Sequence, residues 1–224
     1  MVYYGTKCNY FLNLKTWSIT LLSSFIFISC SGQVDKNKIA LKYKLEQIKV
    51  HEDSISAKAE ILPEFKISLL NGGSWSSSTQ PSGSMLLLTV YRGMWCGHCK
   101  TQLQSLERLH NEFATRGVDI LAVSADTEAR ASAMAKDYGL FRLAIGYEMP
   151  IDRARAMGVF ISKREKDIEM PLFCEPATFL INKQGKVQAA WIASTAFARV
   201  LPDDILSYVD FLAVHSDRDP RGSS

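Results

Sequence analysis

The chain of 224 residues is 47% hydrophobic and 22% charged, with a formal net charge of +3. That length can bury a core without covalent staples, and the balanced, apolar-rich composition excludes a disordered chain and a dedicated nucleic-acid binder. Five cysteines are too few for a disulfide-built scaffold, and the odd number leaves at least one unpaired or modified.

The first residues are polar and basic, with Lys7 and Lys15 and no acidic residue before Asp35. An uncharged run of about 13 residues, Trp17 to Ser29, then leads to Cys30. It is shorter than the ~20 residues that span a bilayer as a helix and matches the apolar part of a signal peptide. Phe27-Ile28-Ser29-Cys30-Ser31 resembles the bacterial lipobox, with Phe27 where Leu, Val or Ile is usual. Residues 1–29 are therefore expected to be a lipoprotein-type signal peptide, with lipidation at Cys30. The mature chain would be anchored to a membrane of the bacterial cell envelope, facing the periplasm or the exterior, where disulfides persist. A soluble exported chain and a cytoplasmic one are the alternatives. Residues 30–60 read as a polar tether and an amphipathic helix, with Leu41, Leu45 and Ile48 at helical spacing.

Residues 61–215 carry the regular signals, and 216–224 form a polar C-terminal tail. The Ser-rich stretch Asn71 to Ser84, with Gly72-Gly73 and Pro81, is expected to be a loop. Met85 to Tyr91 is a continuous apolar run, as in a strand covered on both faces. Leu103, Leu106, Leu109 and Phe113 mark one face of a helix running from near Cys96 to before Gly117. Val118 to Ser124 reads as a second buried strand, followed by a helix capped by Asp126 or Thr127 and ending before Gly139. A short strand over Phe141–Ile145 and a short helix over Ile151–Met157 come next. The stretches Ala177–Ile181 and Lys186–Ile192 form a hairpin around Asn182-Lys183-Gln184-Gly185, and Pro202 with Asp203 and Asp204 opens a last helix. The order predicts an α/β fold with a central mixed β-sheet flanked by helices and an N-terminal helical extension.

Cys96 and Cys99, separated by Gly97 and His98, fall where the first strong strand hands over to a helix N-terminus. Unpaired backbone N–H groups and the helix dipole stabilise a thiolate there, so Cys96 is expected to be exposed and ionised. Cys99, one turn inside, is placed to resolve a mixed disulfide on Cys96. His98 is expected to add positive charge beside Cys96, favouring the reduced form and a comparatively oxidising disulfide; the alternative is an exposed linker residue. Trp95 reads either as a core aromatic or as a platform beside the disulfide. A zinc site needs four ligands, and His51, His110, His215 and Cys174 show no paired spacing, so no metal and no cofactor beyond the dithiol is expected. Cys174 is either a small buried hydrophobe or the source of an alternative disulfide.

Tyr91-Arg92-Gly93-Met94-Trp95-Cys96-Gly97-His98-Cys99 resembles the signature of bacterial peroxiredoxin-like proteins in the alkyl hydroperoxide reductase/thiol-specific antioxidant branch of the thioredoxin-like superfamily. Leu62-Pro63-Glu64-Phe65 and the stretch from Glu175 to Val187 are similar to the family's opening segment and late strand pair. The resemblance implies a thioredoxin-like fold and a redox function carried by Cys96 and Cys99. It further implies a cis Pro176 beside the disulfide, with Arg92, Trp95, Gly97, His98 and Glu175 shaping the site. Glu175 would face the dithiol and take part in proton transfer, or else be a surface residue. Peroxidases of this branch use a Thr where Gly93 stands and an Arg where Pro176 stands; Arg92 and Arg199 are expected in ordinary salt-bridging or surface roles, the alternative being that they substitute for that Arg.

The first functional expectation is thiol–disulfide exchange with a protein partner or reductant. The alternative is a hydroperoxide-reducing peroxidase with Cys96 peroxidatic and Cys99 resolving. A non-catalytic metal or haem-maturation thiol binder is the remaining class.

Overall fold

The computed structural model describes residues 61–79 and 83–215. The expected signal segment with Cys30, the tether and helix up to residue 60, and the tail from 216 lie outside the described residues.

The elements in chain order begin with β1 (Lys66–Leu69), β2 (Ser74–Ser76), β3 (Met85–Val90), α1 (Gly97–Arg108), α2 (His110–Thr115), β4 (Val118–Val123) and α3 (Glu128–Tyr138). They continue with β5 (Ala144–Tyr147), α4 (Ile151–Ala156), β6 (Ile161–Lys163), β7 (Leu172–Cys174), β8 (Ala177–Ile181), β9 (Val187–Ile192) and α5 (Pro202–Val214). The main sheet has the order β2-β1-β5-β4-β3-β8-β9, while β6 and β7 pair separately. Neighbours β3, β4 and β5 are parallel, and β8, β9, β1 and β2 join antiparallel. This is the mixed α/β architecture expected from the sequence.

Alternation along β3 explains why its sequence is apolar throughout. Leu86, Leu88 and Val90 enter a core with Phe179, Met149 and Met157, whereas Leu87 and Tyr91 enter one with Leu103, Leu106, Phe113 and Val209. Helices α1, α2 and α5 thus cover one face and α4 contributes to the other, so Leu86 to Val90 are all removed from water and only Met85 at the strand's start is partly exposed. Thr127 caps α3 by accepting from the Arg130 N–H, and Gly139 ends it at φ 66°, a conformation that suits glycine.

Several boundaries differ from the sequence reading. The helix expected to run unbroken toward Gly117 turns at Leu109 (φ −91°, ψ 6°), which keeps both Leu109 and Phe113 in the core. The Ser-rich segment contains β2, because Trp75 pairs opposite Ile67 and packs edge-on against Phe65 at 5.3 Å. The strand expected over 141–145 sits at 144–147, where it pairs with both β1 and β4. The β6–β7 hairpin escaped the sequence reading, its three-residue strands being too short to show periodicity.

Leu87 is fully buried at the centre of the sheet. Leu87→Ala is expected to cost about 2–5 kcal/mol, read in urea as a lower midpoint with an unchanged slope.

Candidate active site

The end of β3 runs into the segment 91–95, and α1 begins at Gly97 with Cys96 as its N-cap (φ −88°, ψ 106°). The Cys96 carbonyl accepts from the N–H groups of Cys99 at 3.1 Å and Lys100 at 3.2 Å, forming the first helical turn. Gly93 is required by both conformation and space. Its φ is +146°, and a Cβ there would lie 2.8 Å from Trp95 Nε1 and 3.1 Å from both Asp126 carboxylate oxygens. Asp126, a candidate helix cap from sequence, instead accepts the Met94 N–H at 2.7 Å and ties this segment to the end of β4. Burial raises the pKa of Asp126, and the bond from Met94 opposes that shift.

Both site cysteines are free thiols, and both are buried; Cys96 is only 3% exposed, which corrects the expectation of an exposed sulfur. Two guanidinium groups pack against it, with Arg92 Nη1 at 4.0 Å and Arg199 Nη2 at 3.8 Å from Sγ. Arg199 Nη2 also lies 3.1 Å from Cys99 Sγ, which accepts the Arg92 backbone N–H at 3.3 Å. The pKa of Cys96 is lowered to about 5, first by a hydrogen bond from the Cys99 thiol, then by the Cys99 backbone N–H, the charge of Arg199 and a hydrogen bond from the Arg92 side chain. Burial opposes this lowering. Cys99 moves the other way, raised by burial and by donating its proton to Cys96. The pair therefore carries one thiolate and one thiol.

Arg92 is held in a defined slot. Its guanidinium packs over both Trp95 and Phe173, 4.7 and 4.8 Å from their centroids, where the two rings meet edge-on at 5.0 Å, and its Nε is 3.1 Å from Glu175 Oε2. The Ser162 hydroxyl donates to the other Glu175 oxygen at 2.7 Å. Glu175 is thus buried rather than on the surface, and its carboxylate contacts Arg92 rather than a sulfur. Trp95 supplies the wall of this slot; the Arg164 guanidinium covers it at 4.6 Å, itself paired with Asp167, which Arg130 grips at 2.7 and 2.8 Å.

The remaining predicted residues separate. The Glu175–Pro176 peptide is trans, correcting the cis expectation. The extended path from β7 to β8 already satisfies the backbone there, with Glu175 N–H donating to Phe160 C=O and Pro176 C=O accepting from Ala193 N–H. Pro176 lines a small open cleft of about 150 Å³ with Gln102, Thr178, Trp191, Arg199 and Val200, among others. His98 is exposed, with its ring against the exposed Phe197 at 4.6 Å between centroids. The cations at Cys96 Sγ are Arg92 and Arg199, so the electrostatic role expected of His98 falls to them. Gly97 is exposed with open space around its Cα. Cys174 belongs to the opposite core layer from the dithiol and is pushed up to about 12 by burial, which fits the small buried hydrophobe and not an alternative disulfide.

Arg199, for which a surface or salt-bridging role is the first expectation from sequence and substitution for the peroxidase Arg the alternative, reaches both sulfurs. It lies 100 positions from Cys99, so motif spacing carries no trace of the contact. Its partner Gln102, buried on α1, accepts from Nη1 and was not singled out from sequence. Among the described residues, no cluster of His, Cys, Asp or Glu is suited to hold a metal.

The lowered Cys96 pKa has a direct signature in the reduced protein. Its ultraviolet thiolate band is expected to rise with a midpoint of about 5 and to vanish in Cys96→Ser; a midpoint at the ordinary thiol value of ~8.5 would contradict this. Because its folded pKa lies below the unfolded one, ionised Cys96 contributes stability that is fully present above the ordinary thiol range, where the raised Cys99 thiol begins to oppose it. That gain is lost as pH falls through about 5.

Comparison with known proteins agrees with this geometry. The AhpC/TSA family model matches residues 59–190. The thioredoxin-like protein YneN of Bacillus subtilis is 23% identical over 175 residues, covering 78% of this chain and 88% of that protein. The thiol-disulfide oxidoreductase ResA of Geobacillus thermodenitrificans is 28% identical over 151 residues, covering 66% and 77%. The reduced 2-Cys peroxiredoxin of Plasmodium vivax superposes with a TM-score of 0.60 at 19% identity, covering 72% of this chain and 84% of that one, a likeness of fold. The chain belongs to the AhpC/TSA family of the thioredoxin-like superfamily and is a thiol-dependent oxidoreductase.

Proposed function

We propose that the chain catalyses thiol–disulfide exchange with protein partners in the bacterial cell envelope, cycling Cys96 and Cys99 between dithiol and disulfide. The observation that carries this reading is the unequal placement of the two free thiols: Cys96 caps α1 beside the Arg92 and Arg199 guanidinium groups, and Cys99, one turn inside, accepts the Arg92 backbone N–H. Cys96 holds the negative charge and is the nucleophile, while Cys99 keeps its proton and is the resolving thiol. The name carried by ResA, thiol-disulfide oxidoreductase, supports the same activity.

Arg92, fixed by Glu175 and the Trp95–Phe173 pair, keeps one cation at Cys96 throughout the cycle. Pro176 shapes the wall of the neighbouring cleft, where an incoming chain would approach. Cys99→Ser is expected to accumulate a mixed disulfide between Cys96 and an envelope protein, whereas Cys96→Ser accumulates none; absence of adducts from Cys99→Ser under oxidising conditions would remove protein exchange.

The convergence of two guanidinium groups on Cys96 also favours a second reading, peroxide reduction with Cys96 oxidised to a sulfenic acid and Cys99 closing the disulfide. Gly93 weighs against it, since no hydroxyl can stand at that position without meeting Trp95 and Asp126. Hydrogen peroxide consumption by the reduced protein far above that of a free thiol, with disulfide substrates ignored, would establish the second reading in place of the first.

Anchoring belongs to the same proposal. Residues 1–29 act as a lipoprotein signal, Cys30 carries the lipid, and residues 61–215 work at the membrane surface. The described residues contain no helix long and apolar enough to cross a membrane. Cys30→Ala is expected to shift the protein from the membrane to the soluble fraction and to lose the mass of the lipid; unchanged partition and mass would remove the anchor.

A further inference from the structure

Two arginines meet the dithiol, and they are balanced differently. The side chain of Arg92 approaches Cys96 alone, and its charge is matched by the buried Glu175 carboxylate at 3.1 Å. Arg199 reaches both sulfurs through one nitrogen, Nη2, at 3.1 Å from Cys99 and 3.8 Å from Cys96. Its other bonds go to neutral oxygens, the Ala196 carbonyl at 2.8 Å and the Gln102 side-chain carbonyl. Among the described residues no carboxylate pairs with Arg199. The anion that faces this half-buried cation is therefore the dithiol's own thiolate, which disappears when the disulfide forms.

We infer that Arg199, oriented by Gln102, is a catalytic residue that stabilises negative charge on whichever sulfur carries it, and that it biases the Cys96–Cys99 couple toward the dithiol. The chain then passes its disulfide to a partner dithiol. This rests on the exchange reading and adds its direction. A partner thiolate attacks Cys96 Sγ and breaks the Cys96–Cys99 bond; Cys99 leaves as a thiolate and takes a proton. The partner's second thiol loses its proton and attacks the partner sulfur of the mixed disulfide, and Cys96 leaves as a thiolate. The partner is oxidised by two electrons and the Cys96–Cys99 disulfide is reduced by two; the proton lost by the partner's second thiol balances the one Cys99 takes, and the thiolate charge passes from the partner to Cys96. Negative charge appears first on Cys99 and then on Cys96, the two positions that Arg199 Nη2 spans. Gln102 serves as a positioning residue, and its neutrality matters, because a carboxylate there would cancel the charge it orients.

The test equilibrates the full chain in glutathione redox buffers and follows both the disulfide fraction and the thiolate band. Arg199→Ala is expected to shift the equilibrium at least tenfold toward the disulfide, about 30 mV for a two-electron couple, and to move the thiolate band to higher pH. Gln102→Glu keeps the arginine, supplies a carboxylate, and is expected to shift both readouts in the same direction. Should Arg199→Ala fail to fold, Gln102→Glu and Arg199→Lys carry the test. Shifts under twofold with an unmoved thiolate band in folded variants would overturn the inference and leave the exchange reading standing. A wild-type disulfide that glutathione neither forms nor reduces would instead overturn the exchange reading itself. The direction is read by mixing the oxidised chain with an equimolar reduced Cys-x-x-Cys peptide: most of the disulfide is expected to end on the peptide, and the reverse would overturn it.

Discussion

A single negative charge confined to the buried sulfur of Cys96 is the constraint around which the site is arranged. Burial by itself disfavours a thiolate, so the fold must supply enough donors and cations to reverse that penalty. It does so from four directions: the Cys99 thiol, the Cys99 backbone N–H in the first turn of α1, Arg92 after the end of β3, and Arg199 from the segment before α5. The same arrangement pushes Cys99 the opposite way, and two chemically identical residues become a nucleophile and a proton-bearing partner. Asymmetry of this kind is what lets a pair of thiols perform two successive displacements instead of competing for one.

The surroundings can be understood as support for those cations. Glu175 is a buried carboxylate whose ion pair with Arg92 is completed by the Ser162 hydroxyl and enclosed by Trp95 and Phe173. Burying an ion pair is costly unless its polar atoms are met; here Ser162 of β6 meets one Glu175 oxygen, while Arg92 Nε and Glu175 Oε2 face each other at 3.1 Å without a hydrogen bond. Arg130 and Asp167 fasten the turn of that sheet, and Arg164 covers the outer face of Trp95. On the other side of the dithiol, Asp126 and Gly93 set the path of the chain into α1, and the close approach of Trp95 and Asp126 leaves no room for a side chain at 93. A substitution that would add a peroxide-orienting hydroxyl is thereby closed by packing.

Local signals made much of the fold legible. The apolar run of β3, the helical repeat of Leu103 and Leu106, Gly139 as a helix stop, and the Asn182–Gly185 turn each depend on neighbours a few residues away. Elements held mainly by distant partners were not legible. Trp75 makes a strand of a serine-rich segment because Ile67 and Phe65 receive it, and the three-residue strands β6 and β7 have no period to detect. Likewise Leu109 bends a helix that its periodicity alone continues.

The site divides along the same line. By itself the sequence determined that two cysteines three apart stand at the start of a helix behind a buried strand, because that information lies within about ten residues and follows from backbone geometry. It also placed Arg92 beside them, through a motif in which the residues are adjacent. Only the tertiary structure decided what stabilises the charge: Arg199 and Gln102 rather than His98, a Glu175 that grips Arg92 rather than facing a sulfur, and a trans Pro176. Electrostatic partners act through space over a few ångströms, and the chain separation between Arg199 and Cys99 carries no record of that distance. Those contacts exist only once β8, β9 and α5 have packed beside β3 and α1.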